Sequence, residues 1–186
     1  MEFRQRIRRS ARVLIAATVL LPALVHANET APENVLKATI AHRITKFVTW
    51  PDGALADGNA PIRFCVVDDG PIHEALLDLE GASVHGREVH VVLVSDTAFL
   101  ADRCHVLYVS ENGADDQSSW FSQVADSPVL TFGEGDNAGE TPPIVSMGVR
   151  RNRVIFDINV EASERAGLNI SAQLLQLSSQ PNRRGP

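Results

Sequence analysis

Ile62-Arg63-Phe64-Cys65-Val66-Val67-Asp68-Asp69-Gly70-Pro71 is the stretch on which the fold turns. Six residues dominated by β-branched and aromatic side chains read as a strand, and Asp68-Asp69-Gly70 closes it. Pro71 then opens a short helix that runs to Leu79, with Ile72, Ala75, Leu76 and Leu79 on one side at spacings of three and four. A strand, a tight turn and a helix in that order make half of a parallel βαβ unit.

The unit recurs downstream. Val89-His90-Val91-Val92-Leu93-Val94 is a nearly continuous apolar strand, the pattern of a strand covered on both faces. A short helix around Thr97–Ala101 leads into the strand Val106-Leu107-Tyr108-Val109. Ser118–Val124 reads as helix and Val129-Leu130-Thr131-Phe132 as strand. The rhythm then breaks. Ile144–Val149 and Arg153–Asn159 are two β runs joined by Arg150-Arg151-Asn152, a hairpin and so an antiparallel edge. Beyond Gly167 a final helix carries Ile170, Leu174, Leu175 and Leu177. Upstream, residues 32–49 form a helix with Leu36, Ile40, Ile44, Phe47 and Val48 as its apolar face, ended by Trp50-Pro51. The expected fold is α/β, a three-layer sandwich with a mixed, mostly parallel sheet and a C-terminal β-hairpin edge.

Residues 1–27 have a different character. Arg4, Arg6, Arg8, Arg9 and Arg12 precede the apolar run Val13–Leu21, Pro22 and the small-residue segment Ala23-Leu24-Val25-His26-Ala27. This is the anatomy of a secretory signal peptide cleaved after Ala27. The apolar run is shorter than the roughly 20 residues that span a bilayer. The chain is therefore expected outside the cytoplasm, with one domain over 28–180, a disordered tail at 181–186 and no membrane insertion after cleavage. Without the leader, 12 basic residues stand against 22 acidic ones, a formal charge of −10. Such a body has no electrostatic basis for binding nucleic acid.

Cys65 and Cys104 are the only cysteines. An even count in an exported chain reads as a disulfide, with two buried free thiols as the rival reading. No Cys-x-x-Cys or His-Glu-x-x-His spacing points to a metal. Three chemical motifs fail on inspection. Asp68-Asp69 after the first strand suggests a phosphoacceptor site, but the later strand ends in Ser110, and the only lysines, Lys37 and Lys46, lie in the first helix. The pair reads instead as a turn and a helix cap. Gly133-Glu134-Gly135-Asp136-Asn137-Ala138 matches a loose dinucleotide loop, yet Glu134 and Asp136 would repel a pyrophosphate, leaving an acidic loop. No Gly-x-Ser-x-Gly elbow occurs, and His42, His73, His85, His90 and His105 are scattered as surface or packing residues. Asn28 and Asn169 head sequons that matter only in a eukaryotic secretory pathway. No catalytic residue, cofactor or ligand-binding residue is identified.

Several segments together resemble the YfiR family of bacterial periplasmic regulators. Leu36-Lys37-Ala38 and Lys46-Phe47-Val48-Thr49-Trp50-Pro51 are similar to its opening helix and Trp-Pro stop. Phe64-Cys65-Val66, then Gly86-Arg87, follow. Cys104-His105-Val106-Leu107-Tyr108-Val109-Ser110 is the most specific match. Val129–Phe132, Phe156-Asp157-Ile158-Asn159 and Gly167–Leu177 complete the order, so the resemblance spans about residues 34–178.

The resemblance implies a non-enzymatic, dimeric α/β module. It would bind the periplasmic sensing domain of an inner-membrane diguanylate cyclase and hold it inactive, limiting cyclic di-GMP and biofilm formation. It also implies a family disulfide between Cys65 and Cys104, with redox state as part of the signal. Three departures stand out. Ile40-Ala41-His42-Arg43-Ile44 replaces an aromatic-rich helix stretch, Gly139-Glu140-Thr141-Pro142-Pro143 replaces a glycine-rich turn, and a second cysteine pair is absent. Two other functions stay open on the residues alone. One is a small-ligand sensor or binding subunit of another membrane system, with its ligand at the carboxyl ends of the strands near Asp68, Asp69 and Ser110. The other is a secreted hydrolase whose triad forms only on folding.

Overall fold

The computed structural model describes residues 32–178 apart from 56, 57, 68 and 136–139. The leader, Asn28, Asp68 and the tail at 181–186 lie outside the described residues. Helix α1 (Glu33–Thr45) is followed by the two-residue strand β1 (Val48–Thr49), β2 (Ile62–Val66), α2 (Pro71–Leu77), β3 (Ser83–Val84) and β4 (Arg87–Leu93). Then come α3 (Leu100–Arg103), β5 (Val106–Val109), α4 (Gln117–Ser122), β6 (Leu130–Glu134), β7 (Val145–Arg150) and β8 (Arg153–Ile158). The chain closes with α5 (Val160–Arg165), β9 (Asn169–Ile170) and α6 (Ala172–Leu177). No helix among the described residues is long and apolar enough to cross a membrane.

The main sheet has seven strands in the order β3-β4-β2-β5-β6-β7-β8. The five central strands run parallel, and β3 and β8 pair antiparallel at the two edges. Alternation along each strand sends side chains to opposite faces. Phe64, Val66, Val106, Tyr108, Leu130 and Phe132 go to one face, where Ala38, Ala41 and Ile44 of α1, Ile72 and Leu76 of α2, Ala162 of α5 and Leu174 of α6 meet them. Cys65, Leu107 and Val109 go to the other, against Leu100 of α3 and Phe121 of α4. The mixed, mostly parallel three-layer α/β fold read from the sequence is the one observed.

Several boundaries differ from the sequence reading, each for a physical reason. The first helix stops at Thr45, whose Oγ1 donates to the Ala41 carbonyl 2.8 Å away, and Val48–Thr49 leave it to pair with Asn169–Ile170. Its buried face is Lys37, Ala38, Ala41, Ile44 and Thr45; of the predicted stripe, Ile44 and Val48 are buried, Ile40 and Phe47 pack against the core, and Leu36 alone is exposed, at 36%. Small alanines let α1 approach the layer beneath closely, and Lys37 turns inward because carboxylates meet it there. Ile170 lies in β9 rather than in the final helix, and α3 begins at Leu100 rather than near Thr97. β4 is covered less than its apolar run suggested. Leu93 is 45% exposed, because β4's outer neighbour β3 is only two residues long.

Helix α5 is absent from the sequence reading, although both of its ends are signalled. Asn159 Oδ1 accepts from the Ala162 amide at 3.0 Å, the role of an N-cap. Gly167, at φ +69, lets the Leu168 amide reach the Ser163 carbonyl at 2.8 Å, a glycine-terminated helix end. Trp50 is buried where β1 ends, and its indole Nε1 donates to the Pro128 carbonyl at 3.0 Å.

A disulfide joins Cys65 in the middle of β2 to Cys104, which follows α3. Both cysteines are buried, at 0% and 1% exposure. The bond ties α3 and the entry to β5 against the neighbouring strand, inside the second apolar cluster. Arg63, two residues before Cys65, reinforces the join. Its guanidinium donates to the carbonyls of Asp102 and Arg103 at the end of α3, where helix carbonyls lack partners. Its backbone amide donates to His105 Nδ1 at 3.0 Å, and the His105 amide returns a bond to the Arg63 carbonyl. Burial, with the charges of Arg63 and Arg87, lowers the His105 pKa to about 4.

Two predictions follow from these contacts. In denaturant without reductant the protein should expose no labelable thiol. Dithiothreitol should cleave the buried bond far faster in denaturant than in native buffer. Cys65→Ser should lower stability by about 4 kcal/mol, the chain-entropy value for a loop of about 40 residues. Rapid labelling of two thiols in the untreated protein would contradict the bond.

The His105 prediction concerns pH. A folded pKa below the unfolded value gives stability that is complete above about pH 6.5 and is lost as pH falls toward 4. Urea unfolding should therefore show a loss on the order of 2 kcal/mol across that window. His105→Asn keeps an acceptor for the Arg63 amide but cannot titrate there, so this part of the slope should vanish. An unchanged slope would rule out His105 as its source.

Candidate functional site

An open cleft of about 580 Å³ lies at the carboxyl ends of β6 and β7, beside the first turns of α1. Glu33, Lys37, Glu111, Glu134, Arg150 and Asp157 supply its charged lining. At its floor sits a buried polar cluster. Lys37 Nζ donates to Glu134 Oε2 at 2.7 Å and pairs with Glu33 Oε1 at 2.6 Å. The Tyr108 hydroxyl donates to Glu134 Oε1 at 2.5 Å. Lys37 and Glu134 are each 6% exposed and Tyr108 is fully covered, with its ring stacked on Phe132. Gln117 Nε2 donates to the carbonyls of Ser110 and Glu134, clamping the ends of β5 and β6 to α4.

Local sequence explains how the three groups meet. Tyr108 and Glu134 lie on adjacent parallel strands and point to the same face, Glu134 two residues beyond Phe132, the register partner of Tyr108. Lys37 lies one turn into the helix that crosses this face. The helical spacing of four brings Glu33 onto the same ammonium.

The chemistry of the cluster is that of a lock. Burial opposes the charge on Lys37, but hydrogen bonds and attraction from Glu134 and Glu33 outweigh it and hold the ammonium pKa above its usual value. Burial and the neighbouring Glu134 carboxylate raise the Tyr108 hydroxyl well above the ordinary phenol range. Lys37 therefore stays charged and Tyr108 stays protonated. Each Glu134 oxygen already accepts a hydrogen bond, one from the Lys37 ammonium and one from the Tyr108 hydroxyl, so the carboxylate is held by the protein's own donors.

The other residues singled out from the sequence are placed as follows. Cys65 and Cys104 are bonded to each other. Asp69 is exposed in the turn before α2 and caps nothing. The N-cap position of α2 is Gly70, so Asp69 is not the cap residue, while Asp68 lies outside the described residues. The acidic-loop reading of residues 133–138 is also corrected at its start. Gly133 and Glu134 belong to β6, and Glu134 is buried because a cation and a phenol stand opposite it. Ser110 is buried beside the cleft. The histidines do not converge. His85 Nε2 lies 2.9 Å from the Val48 carbonyl, His42 Nε2 lies 3.3 Å from the Ser83 carbonyl, and His90 pairs with Glu80. Among the described residues no group of three or more His, Cys, Asp or Glu is placed to hold a metal ion.

Two surface features complete the site. The β7–β8 hairpin turns through Arg151 and Asn152, both at positive φ, which defines a two-residue type I′ turn. Arg150, Arg151 and Arg153 form an exposed basic tip on an acidic body. Phe99 is 76% exposed at φ +57, an unusual conformation for a bulky side chain. Sequence reasoning passed over Lys37, Tyr108 and Glu134 as a unit. The available signal was a lone lysine on an otherwise small-residue helix face, with a tyrosine and a glutamate closing two apolar strands.

The cluster predicts unequal mutational costs. Lys37→Met leaves a buried carboxylate short of its cation and should lower stability by about 3–5 kcal/mol. Glu33→Gln removes a half-exposed partner and should change it by less than about 1 kcal/mol. Urea titration of the two variants measures the difference, and equal small effects would show that the buried pair is not holding α1 to the sheet.

A family model described as YfiR/HmsC-like covers residues 34–179, from the first turn of α1 to just beyond α6. No curated protein sequence matches the chain. Because that model takes in every element of the fold described above, the chain belongs to the YfiR/HmsC-like family.

Proposed function

We propose that this protein is a periplasmic, non-enzymatic regulator. It binds the periplasmic sensing domain of an inner-membrane diguanylate cyclase and represses it, lowering cyclic di-GMP and restraining biofilm formation. The observation that carries this reading is the family match over residues 34–179. The leader at 1–27 supports export, and the −10 charge of the remainder supports a protein partner over a nucleic acid. The polar cluster supports a binding role, since its three members are satisfied by one another and none is poised for proton transfer. The exposed surfaces available for a partner include the basic hairpin tip and Phe99.

Crosslinking in the native host, followed by mass spectrometry of captured membrane proteins, tests the proposal. The expected result is a diguanylate cyclase with a periplasmic sensing domain. Deletion of the protein should raise cyclic di-GMP by severalfold. Capture of a different sensor or a transporter, with cyclic di-GMP unchanged on deletion, would overturn it. That outcome would move the function to a ligand-binding subunit, the reading favoured by the cleft at the strand ends.

A further inference from the structure

The tip of the β7–β8 hairpin breaks two local rules at once. Arg150 and Arg153 are direct partners across the ladder, so two guanidinium groups leave the same face of the ribbon side by side. Like charges set opposite each other destabilise an antiparallel pair. Arg151 occupies the first central position of the type I′ turn at φ +52, a place that favours asparagine, aspartate or glycine. All three arginines are exposed, and no ion pair among the described residues engages any of them. Local costs that a fold leaves uncompensated concentrate where the surface has a use.

The ground beside the tip suits a chain segment. On the face that carries Arg150 and Arg153, the next pair inward is Gly148 and Ile155. A side chain at Gly148 would meet nothing within 4 Å, and Ile155 is only half-buried. The arginine pair is thus followed by a shallow apolar step, and Gly148, Arg150 and Ile155 all line the cleft. Two arginines about 5 Å apart at Cβ present two planar forks. Each fork matches a carboxylate with two parallel hydrogen bonds.

The rest of the rim selects between anionic partners. β2, β4, β5, β6 and β7 run parallel, so the tip shares a rim with the loops that follow β2, β4 and β5. Those loops expose Asp69, Asp96, Glu111, Asp115 and Asp116. A flat anionic bilayer brought against this rim would meet these five carboxylates as well as the three arginines, and repulsion would outweigh attraction. A narrow acidic segment meets the arginines alone.

We propose, resting on the binding role put forward above, that Arg150, Arg151 and Arg153 form the docking surface for an extended acidic segment of a protein partner. The segment sets its carboxylates on the guanidinium forks and lays an apolar side chain over Gly148 against Ile155. Strain and like-charge repulsion at the free tip are relieved when those carboxylates arrive.

Nuclear magnetic resonance titration of isotope-labelled protein, expressed from the complete sequence, tests this with a capped hexapeptide of alternating glutamate and leucine. Amide shifts should concentrate at 148–155, and a hexapeptide of alternating lysine and leucine should leave those amides unmoved. Arg150→Glu turns the repulsive pair into an attractive one, and Arg151→Gly relaxes the turn. Each should raise the melting temperature, so that lost binding cannot come from unfolding. Arg150→Glu should weaken binding of the glutamate peptide by at least about tenfold, and Arg151→Gly by severalfold. No shift at 148–155, shifts centred elsewhere, or undiminished binding by Arg150→Glu would overturn the proposal. Co-sedimentation with phosphatidylglycerol vesicles that Arg150→Glu abolishes would also overturn it, since the tip would then read a lipid surface. The titration reads the tip alone, whereas unchanged cyclic di-GMP on deletion would fell only the cyclase reading.

Discussion

Burial of β2 and β5 on both faces is the constraint from which the rest of the structure follows. Parallel neighbours cannot be joined by a tight turn, so each connection must cross a face of the sheet, and the crossing segment must cover what it crosses. The apolar side chains of Phe64, Val66, Val106 and Tyr108 require one layer, and those of Cys65, Leu107 and Val109 require another. Helices α1 and α2 supply the first, while α3 and α4 supply the second. The disulfide lies inside the second layer, where the helix is shortest and contributes least apolar area of its own. A covalent tie there compensates for a four-residue helix that could not hold its place by packing.

The two layers divide the labour. On the face crossed by α1, a buried ion pair with a tyrosine fixes the helix at the strand ends. Such a pair is weak evidence for stability, since desolvation offsets most of its attraction. Its consequence here is positional. A charged lysine on the inner face of α1 has one place to go, so the helix cannot rotate or slide without stranding Glu134. This fixes the wall of the cleft and the angle at which the first helix meets the hairpin. A rigid wall beside an exposed basic tip suits recognition better than turnover, which accords with the binding role proposed above.

Much of the fold was legible in the sequence because hydrophobic periodicity reports burial directly. The strands around Phe64, Leu107 and Leu130 and the hairpin at Arg150–Arg153 stood out as runs too apolar or too alternating to be anything else. Legibility failed where a residue's environment comes from far along the chain. Leu36 satisfied the helical pattern better than Ala38 and Ala41, yet the alanines are the more buried, because close approach to a neighbouring layer rewards small side chains. Glu134 looked like loop punctuation beside two glycines until a lysine 97 positions away neutralised it. Val48–Thr49 and Asn169–Ile170 are each too short to register as strands alone, and they exist only as a pair.

By itself, then, the sequence determined the layer architecture, the order of its central elements, the even cysteine count and the turn that makes the hairpin. These depend on local pattern and on side-chain chemistry that no context alters. Tertiary structure alone decided which face of α1 is buried, which charges are hidden and which edge of the sheet is left open. Those are properties of pairs of groups distant in sequence. Their energies arise only when folding removes water from between them.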